Sequence, residues 1–248
     1  MFTHEEQIKL SELMNSNEDF SYFINKYEKE CNTLSSQFFH EARNPLTLIK
    51  STAQLIESNY PQIHEIKYWD QLVEDIESLE VLLTELSMYR NGNHLRKQIQ
   101  DLLLPLKSVF STFKPWAEQK EIMFSFDISE EDIHIFSHYS FDQIKFQQVF
   151  TNLIKNAFEA VKEKGTITIE CKALLPDQLL ISIRNDGPMI PSNELETIFE
   201  PFVTYKSSGT GLGLSISSKI VQAHGGSIKA VSTEEETVFH IYLPLSVI

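Results

Sequence analysis

A histidine, a carboxylate and an amide lie close together in FFHEARNPLTLI at 38–49, as His40, Glu41 and Asn44. Neutral imidazole is a good nucleophile near pH 7. An adjacent carboxylate can hydrogen-bond the ring, fix its tautomer and take the proton released when the ring is modified. Asn44 follows one helical turn later on the same face. Pro45 removes a backbone donor and tends to kink a helix just past His40. A helical histidine alone is most often a solvated or packed residue, so its weight here comes from what lies downstream.

Three downstream segments carry residue types suited to a nucleotide. In NLIKNAFEAV at 152–161, Asn152 and Asn156 stand four apart, so both amides project from one helical face. Amide oxygens are hard ligands that suit Mg2+, and Lys155 is available to a phosphate. Leu153, Ile154, Ala157 and Val161 of the same segment read as core. In GTGLGLSIS at 209–217, Gly209, Gly211 and Gly213 alternate with Thr210 and Leu212. Such glycines let backbone amides approach phosphate oxygens, and the helix that follows aims its N-terminus at the anion. Just before them, Thr204, Lys206, Ser207 and Ser208 read as a lid over the phosphates, with Lys206 offsetting their charge. Phe199 and Phe202 read as lid anchors and core. The third segment, RNDGPMIP at 184–191, contributes Asn185, Asp186 and Gly187.

These residues need two kinds of scaffold. From about residue 20 to 90 the pattern is helical, in two segments flanking a break at SNYPQ, residues 58–62. Leu46, Ile49, Ala53 and Ile56 recur at three- and four-residue spacing. Trp69, Leu72, Ile76, Leu79, Leu83 and Leu86 alternate three and four, the seam of a coiled coil or bundle. A hairpin of two helices cannot enclose its apolar faces, and pairing with a second copy would complete a four-helix bundle. Asn91-Gly92-Asn93 is a loop signal. Beyond it, helices are expected over 101–118, 142–163 and 212–224, and strands over 122–128, 166–171, 179–184, 226–232 and 237–243. The organisation expected is a short N-terminal helical segment (1–30), a helical hairpin suited to dimerisation (31–92) and a mixed helix-and-strand domain (93–248). The fold class is α+β, with an α/β sandwich of mostly antiparallel strands after the hairpin.

Composition narrows the partners. Among 248 residues, 42% are hydrophobic, enough for a real core. The net charge of −14 argues against nucleic acid, whose phosphates would be repelled. No apolar run approaches the ~20 residues of a membrane-spanning helix, so no membrane insertion is expected. Cys31 and Cys171 lack metal-ligand spacing and suit a reducing compartment, so the expected location is cytoplasmic.

In their order, FFHEARNPLTLI, NLIKNAFEAV, RNDGPMIP, IFEPFVTYK (198–206) and GTGLGLSIS strongly resemble the H, N, G1, F and G2 boxes of bacterial two-component sensor histidine kinases with a GHKL-type ATPase domain. The resemblance runs from about residue 32 to the C-terminus. It implies that His40 is the phosphoacceptor, Glu41 its general base, and Asn44 the residue that positions water for dephosphorylating a partner aspartate. It implies Mg-ATP as cofactor, with Asn156 the metal ligand and Asn152 a nucleotide contact. It implies a homodimer acting on a separate response regulator receiver domain. The G1 box departs from the family form Asp-x-Gly-x-Gly: aligned on Gly187, Asn185 takes the place of the Asp that accepts a hydrogen bond from the adenine amino group. Met189 takes the place of the second glycine, and Asp186 is a substitute acceptor to consider. The same residues also fit a catalytically idle or phosphatase-dominant module that binds a receiver.

Overall fold

The computed structural model describes residues 9–10, 13–14, 16–93, 95–174, 176–206 and 209–245. Ser207 and Ser208 of the expected lid, and much of segment 1–30, lie outside them. The chain divides into two compact units, Met1–Ser87 and Met88–Ile248.

The first unit is a hairpin. Helix α1 (Glu18–Asn59) starts where the Asn17 side chain accepts from the Phe20 amide at 3.0 Å, and it runs without a break through Pro45. It ends at Tyr60, and Pro61–Glu65 forms a 3-10 turn with proline at its start, a place where the missing N–H costs nothing. Helix α2 (Trp69–Arg90) returns antiparallel. Leu46, Ala53 and Ile76 are buried between the two helices, with Trp69 and Leu83 packed against them. Lys50 Nζ meets Glu80 at 2.6 Å, and the Trp69 indole N–H donates to Glu57 at 3.1 Å. One side of the hairpin stays open: Leu48, Ile49, Leu55, Leu72 and Leu79 are 49–69% exposed.

The second unit is a two-layer α/β sandwich. Its sheet has β2 (Met123–Ile128), β4 (Thr166–Leu174), β5 (Gln178–Asn185), β7 (Thr237–Pro244) and β6 (Ser227–Ser232) in that spatial order. Only the β2–β4 pair is parallel. A two-stranded ribbon of β1 (Gln98–Gln100) and β3 (Tyr139–Phe141) stands apart. Helices α3 (Leu103–Gln119), α5 (Gln143–Ala160) and α7 (Gly213–Ala223) cover one face, and α4 (Glu130–Phe136) and α6 (Ser192–Leu195) are short connectors. The apolar alternation of β4 and β5 puts Ile167, Ile169, Cys171, Leu179, Ile181 and Ile183 fully inside. Helix α5 answers with Phe146, Val149, Phe150, Leu153, Ile154, Ala157 and Phe158, all buried. Burying that stripe fixes the rotation of α5, and so decides where its polar residues point. Burial also pushes the Cys171 thiol up to about 12, an inert packed thiol.

Candidate functional site

On α1, the side chains of His40, Glu41 and Asn44 are exposed, one turn ahead of the first buried hairpin residue, Leu46. The helix backbone therefore presents an accessible ring and an accessible carboxylate beside it.

In the second unit the site is organised along α5. Asn152 Nδ2 donates to the Gly213 carbonyl at 3.0 Å and to Ser217 Oγ at 3.4 Å, which ties α5 to the first turn of α7. That first turn has no side-chain cap, because Leu212 at the N-cap offers no acceptor. Its amides are the donors a helix N-terminus presents to an anion. One turn along α5, Asn156 Oδ1 accepts from Lys206 Nζ at 2.8 Å. Lys206 also pairs with Glu159, and Lys155 reaches the same carboxylate at 3.7 Å. One turn further, Ala160 packs against Gly187: a Cβ on Gly187 would sit 2.8 Å from Ala160 Cβ and 2.7 Å from Asn185 Oδ1. Residues 152, 156 and 160 thus mark a line of ~12 Å on one side of one helix.

The glycines are not equivalent. Gly211 has φ +71, and its carbonyl accepts from Phe202 N–H at 3.0 Å, closing the loop ahead of α7. Leu212 is fully buried, and its N–H donates to Thr210 Oγ1 at 3.3 Å. A Cβ on Gly209 would run into Thr204 Oγ1, itself hydrogen-bonded to Lys206 N at 3.2 Å. Gly213 has room around it.

Several expectations find different surroundings. Lys206, read as a phosphate partner, rests instead on the amide oxygen of Asn156, read as the metal ligand, and on the Glu159 carboxylate. Phe199 packs edge-on to Phe239 as an anchor. Phe202 does not join the core: it is 61% exposed at φ +66, because the turn that ties it to Gly211 sends its side chain outward. Asp186 commits Oδ2 to the Thr166 amide at 2.8 Å, while Asn185 is buried. Three residues not singled out from the sequence belong here: Glu159, Ser217 and Thr237. Glu159 is signalled only by its i+3 spacing from Asn156, and Ser217 by closing the glycine motif. Thr237 carries no local signal, since β7 brings it to Asn185 by sheet register.

Among the described residues, no group of three or more His, Cys, Asp or Glu could hold a metal. The donor set is instead one amide oxygen already holding a cation, the Lys206 ammonium. That fits Mg2+, which takes few protein ligands and keeps the rest of its shell for water and phosphate. Also among the described residues, no helix is long and apolar enough to cross a membrane.

Residues 141–247 match the family of histidine kinase-, DNA gyrase B-, and HSP90-like ATPases. The sensor histidine kinase ZraS of Salmonella typhi is 32% identical over 216 residues, covering 86% of this chain and 45% of ZraS. The catalytic domain of histidine kinase ThkA is 35% identical with a TM-score of 0.55, covering 60% of this chain and 97% of that domain. ThkA solved in complex with response regulator protein TrrA is 27% identical with a TM-score of 0.63, covering 92% of this chain and 67% of that one. The chain spans less than half the length of the curated relatives it matches. With a nucleotide-suited line on α5, an exposed histidine hairpin and these likenesses together, the chain belongs to the bacterial two-component sensor histidine kinases with a GHKL-type ATPase domain.

Proposed function

We propose that this chain uses Mg-ATP to phosphorylate its own His40 and passes the phosphoryl group to an aspartate of a separate response regulator. The observation that carries this is the α5 line: the uncapped terminus of α7 tied to Asn152, a cation-holding amide at Asn156, and the buried Asn185 and Gly187 beside Ala160. Gly209, Thr210, Gly211, Leu212 and Gly213 would hold the triphosphate, with Thr204, Lys206 and Lys155 available to bind it and offset its charge. Asn156 would hold Mg2+ through its side-chain oxygen, and the ion would supply positive charge to offset that developing on the phosphates. Asn152 positions the glycine turn.

A ring nitrogen of His40 supplies the electron pair that forms the N–P bond, while the bond from the γ-phosphorus to the ADP oxygen breaks. Glu41 takes the proton lost by the ring. Asn44 orients a water for the reverse duty, hydrolysis of the receiver's acyl phosphate. Residues 31–92 act as phosphotransfer hairpin and 93–248 as the ATP-binding domain. The exposed Leu48, Ile49, Leu55, Leu72 and Leu79 support a homodimer, since pairing two hairpins buries what one cannot. The receiver partner is supported by the ThkA–TrrA complex. The acidic, apolar-run-free sequence supports work in the cytoplasm, away from nucleic acid.

Incubation with γ-labelled ATP and Mg2+ tests this beside His40→Gln. Acid-labile, base-stable label present in the wild type and absent from the variant is the expected result. ATP binding without such label would shift the function to a phosphatase or an idle receiver-binding module.

A further inference from the structure

The surroundings of Asn185 decide which way its amide points. It ends β5 on the helix-facing side of the sheet, in register with Ile167 of β4 and Thr237 of β7, and is 2% exposed. Its Oδ1 accepts from the Gly187 N–H at 3.0 Å, and its Nδ2 donates to the Thr237 carbonyl at 3.4 Å. Flipping the amide would set two donors together at Gly187 and two acceptors together at Thr237, so one orientation holds. An amide nitrogen has two hydrogens and an amide oxygen two acceptor sites. One of each therefore has no protein partner among the described residues. A carboxylate here would have acceptors only, one of them facing the Thr237 carbonyl.

Adenine presents an amino donor at position 6, whereas guanine and hypoxanthine present a carbonyl acceptor. At position 6 itself, a carboxylate satisfies the first and opposes the second. The Asn185 amide can satisfy either. Asp186 does not restore the discrimination, because its carboxylate is held by the Thr166 amide on the exposed side of the strand end. Resting on the nucleotide reading above, we propose that the site accepts 6-oxopurine nucleoside triphosphates alongside ATP, and that Asn185 is the residue that admits them.

ATP, ITP and tripolyphosphate, each with Mg2+, are titrated into the full chain in competition with a fluorescent nucleotide analogue. ITP is chosen because it keeps the rest of the ATP molecule and differs only at position 6, a carbonyl for the amino group, and at the neighbouring N1, an N–H for a lone pair. The wild type should bind ATP and ITP within about threefold, and both far better than tripolyphosphate. Asn185→Asp should favour ATP by about tenfold or more, since an unmatched acceptor pair costs that much. Asn185→Ala, which removes both functions without opposing acceptors, should weaken ATP and ITP alike and stands in should the Asp variant fold poorly. Wild-type rejection of ITP by about tenfold or more overturns the proposal. So does ITP binding no better than tripolyphosphate, because the base is then not read. Failure of every nucleotide, ATP included, sinks instead the nucleotide reading on which it rests.

Discussion

Gly211 and Gly213 are two residues apart in one motif, yet alanine at each should do different things. At Gly211 the backbone has φ +71, where an alanine costs about 1 kcal/mol. The added Cβ would lie 2.5 Å from the Phe202 carbonyl carbon, 2.7 Å from Val203 N and 2.8 Å from Val203 O. All three are backbone atoms, so the 202–203 segment must move, at about 1–3 kcal/mol. The Phe202 N–H to Gly211 carbonyl bond holds that segment in place and is the first to break. A sum of about 3 kcal/mol follows for Gly211→Ala. At Gly213 the nearest contact is Asn152 Cγ at 3.7 Å, ordinary van der Waals distance in a helical backbone. Alanine there is the better helix former by up to ~1 kcal/mol. Thermal unfolding together with fluorescent-nucleotide titration separates the cases. Strain borne by the folded unit lowers the Gly211→Ala midpoint by ~6–12 °C. Strain relieved by swinging the 202–203 segment away leaves the midpoint nearer wild type and lowers nucleotide affinity by about a hundredfold. Gly213→Ala should match or exceed the wild-type midpoint by up to ~4 °C, so any affinity it loses reports crowding of phosphate alone. Wild-type midpoint and affinity in Gly211→Ala would refute the reasoning, as would a greater stability loss in Gly213→Ala.

His224 is buried, accepts the Asp142 N–H at Nε2 (3.1 Å) and donates from Nδ1 to the Ile220 carbonyl (2.8 Å), which requires a neutral ring. Burial holds its pKa below the ordinary 6.5, so the unfolded chain takes the proton first and the stability present above about 6.5 is lost as pH falls through the folded value. Denaturant unfolding should show a larger loss between pH 7.5 and 5.5 for wild type than for His224→Gln; equal losses would count against it. Glu159→Gln removes the carboxylate that holds Lys206 and Lys155 and relieves its repulsion of phosphate. It should tighten Mg-nucleotide binding by about two- to fivefold at low salt, with the gain shrinking as salt rises; weaker binding would show that Glu159 helps hold the metal instead.

Most of the two-unit layout is legible because it rests on long periodic runs. The stripe Leu153, Ile154, Ala157 and Phe158 sets α5, and the alternation in TITIEC and LLISIR sets β4 and β5. Tertiary pairing decided the elements that reading missed. Gln98–Gln100 and Tyr139–Phe141 are three residues each, too short for any period, and exist because they pair with one another. Helix α4 is seven residues long; Ser129 caps it by accepting from the Asp132 amide at 3.1 Å, a signal the surrounding acidic run hides. The motif residues were legible as types, but their partners were not. Nothing in the sequence around Lys206 says that it will lie on Asn156, because the two are 50 positions apart and the chain between them must first fold.

That contact bears on how a chain of net charge −14 can attract a polyanion. The field of the whole protein opposes the nucleotide, so the site must supply its own positive potential over a few ångströms. Lys155 and Lys206 are the cations placed to do so, and both rest on Glu159, which keeps them near the α5 line. On the function proposed above, an arriving triphosphate would exchange one anionic partner of Lys206 for a stronger one, and the Asn156 amide oxygen would be freed in the exchange. The carboxylate would then set a threshold: phosphate must outcompete it before Lys206 leaves Asn156. An anion with fewer charges, such as a nucleoside monophosphate, should bind without moving Lys206.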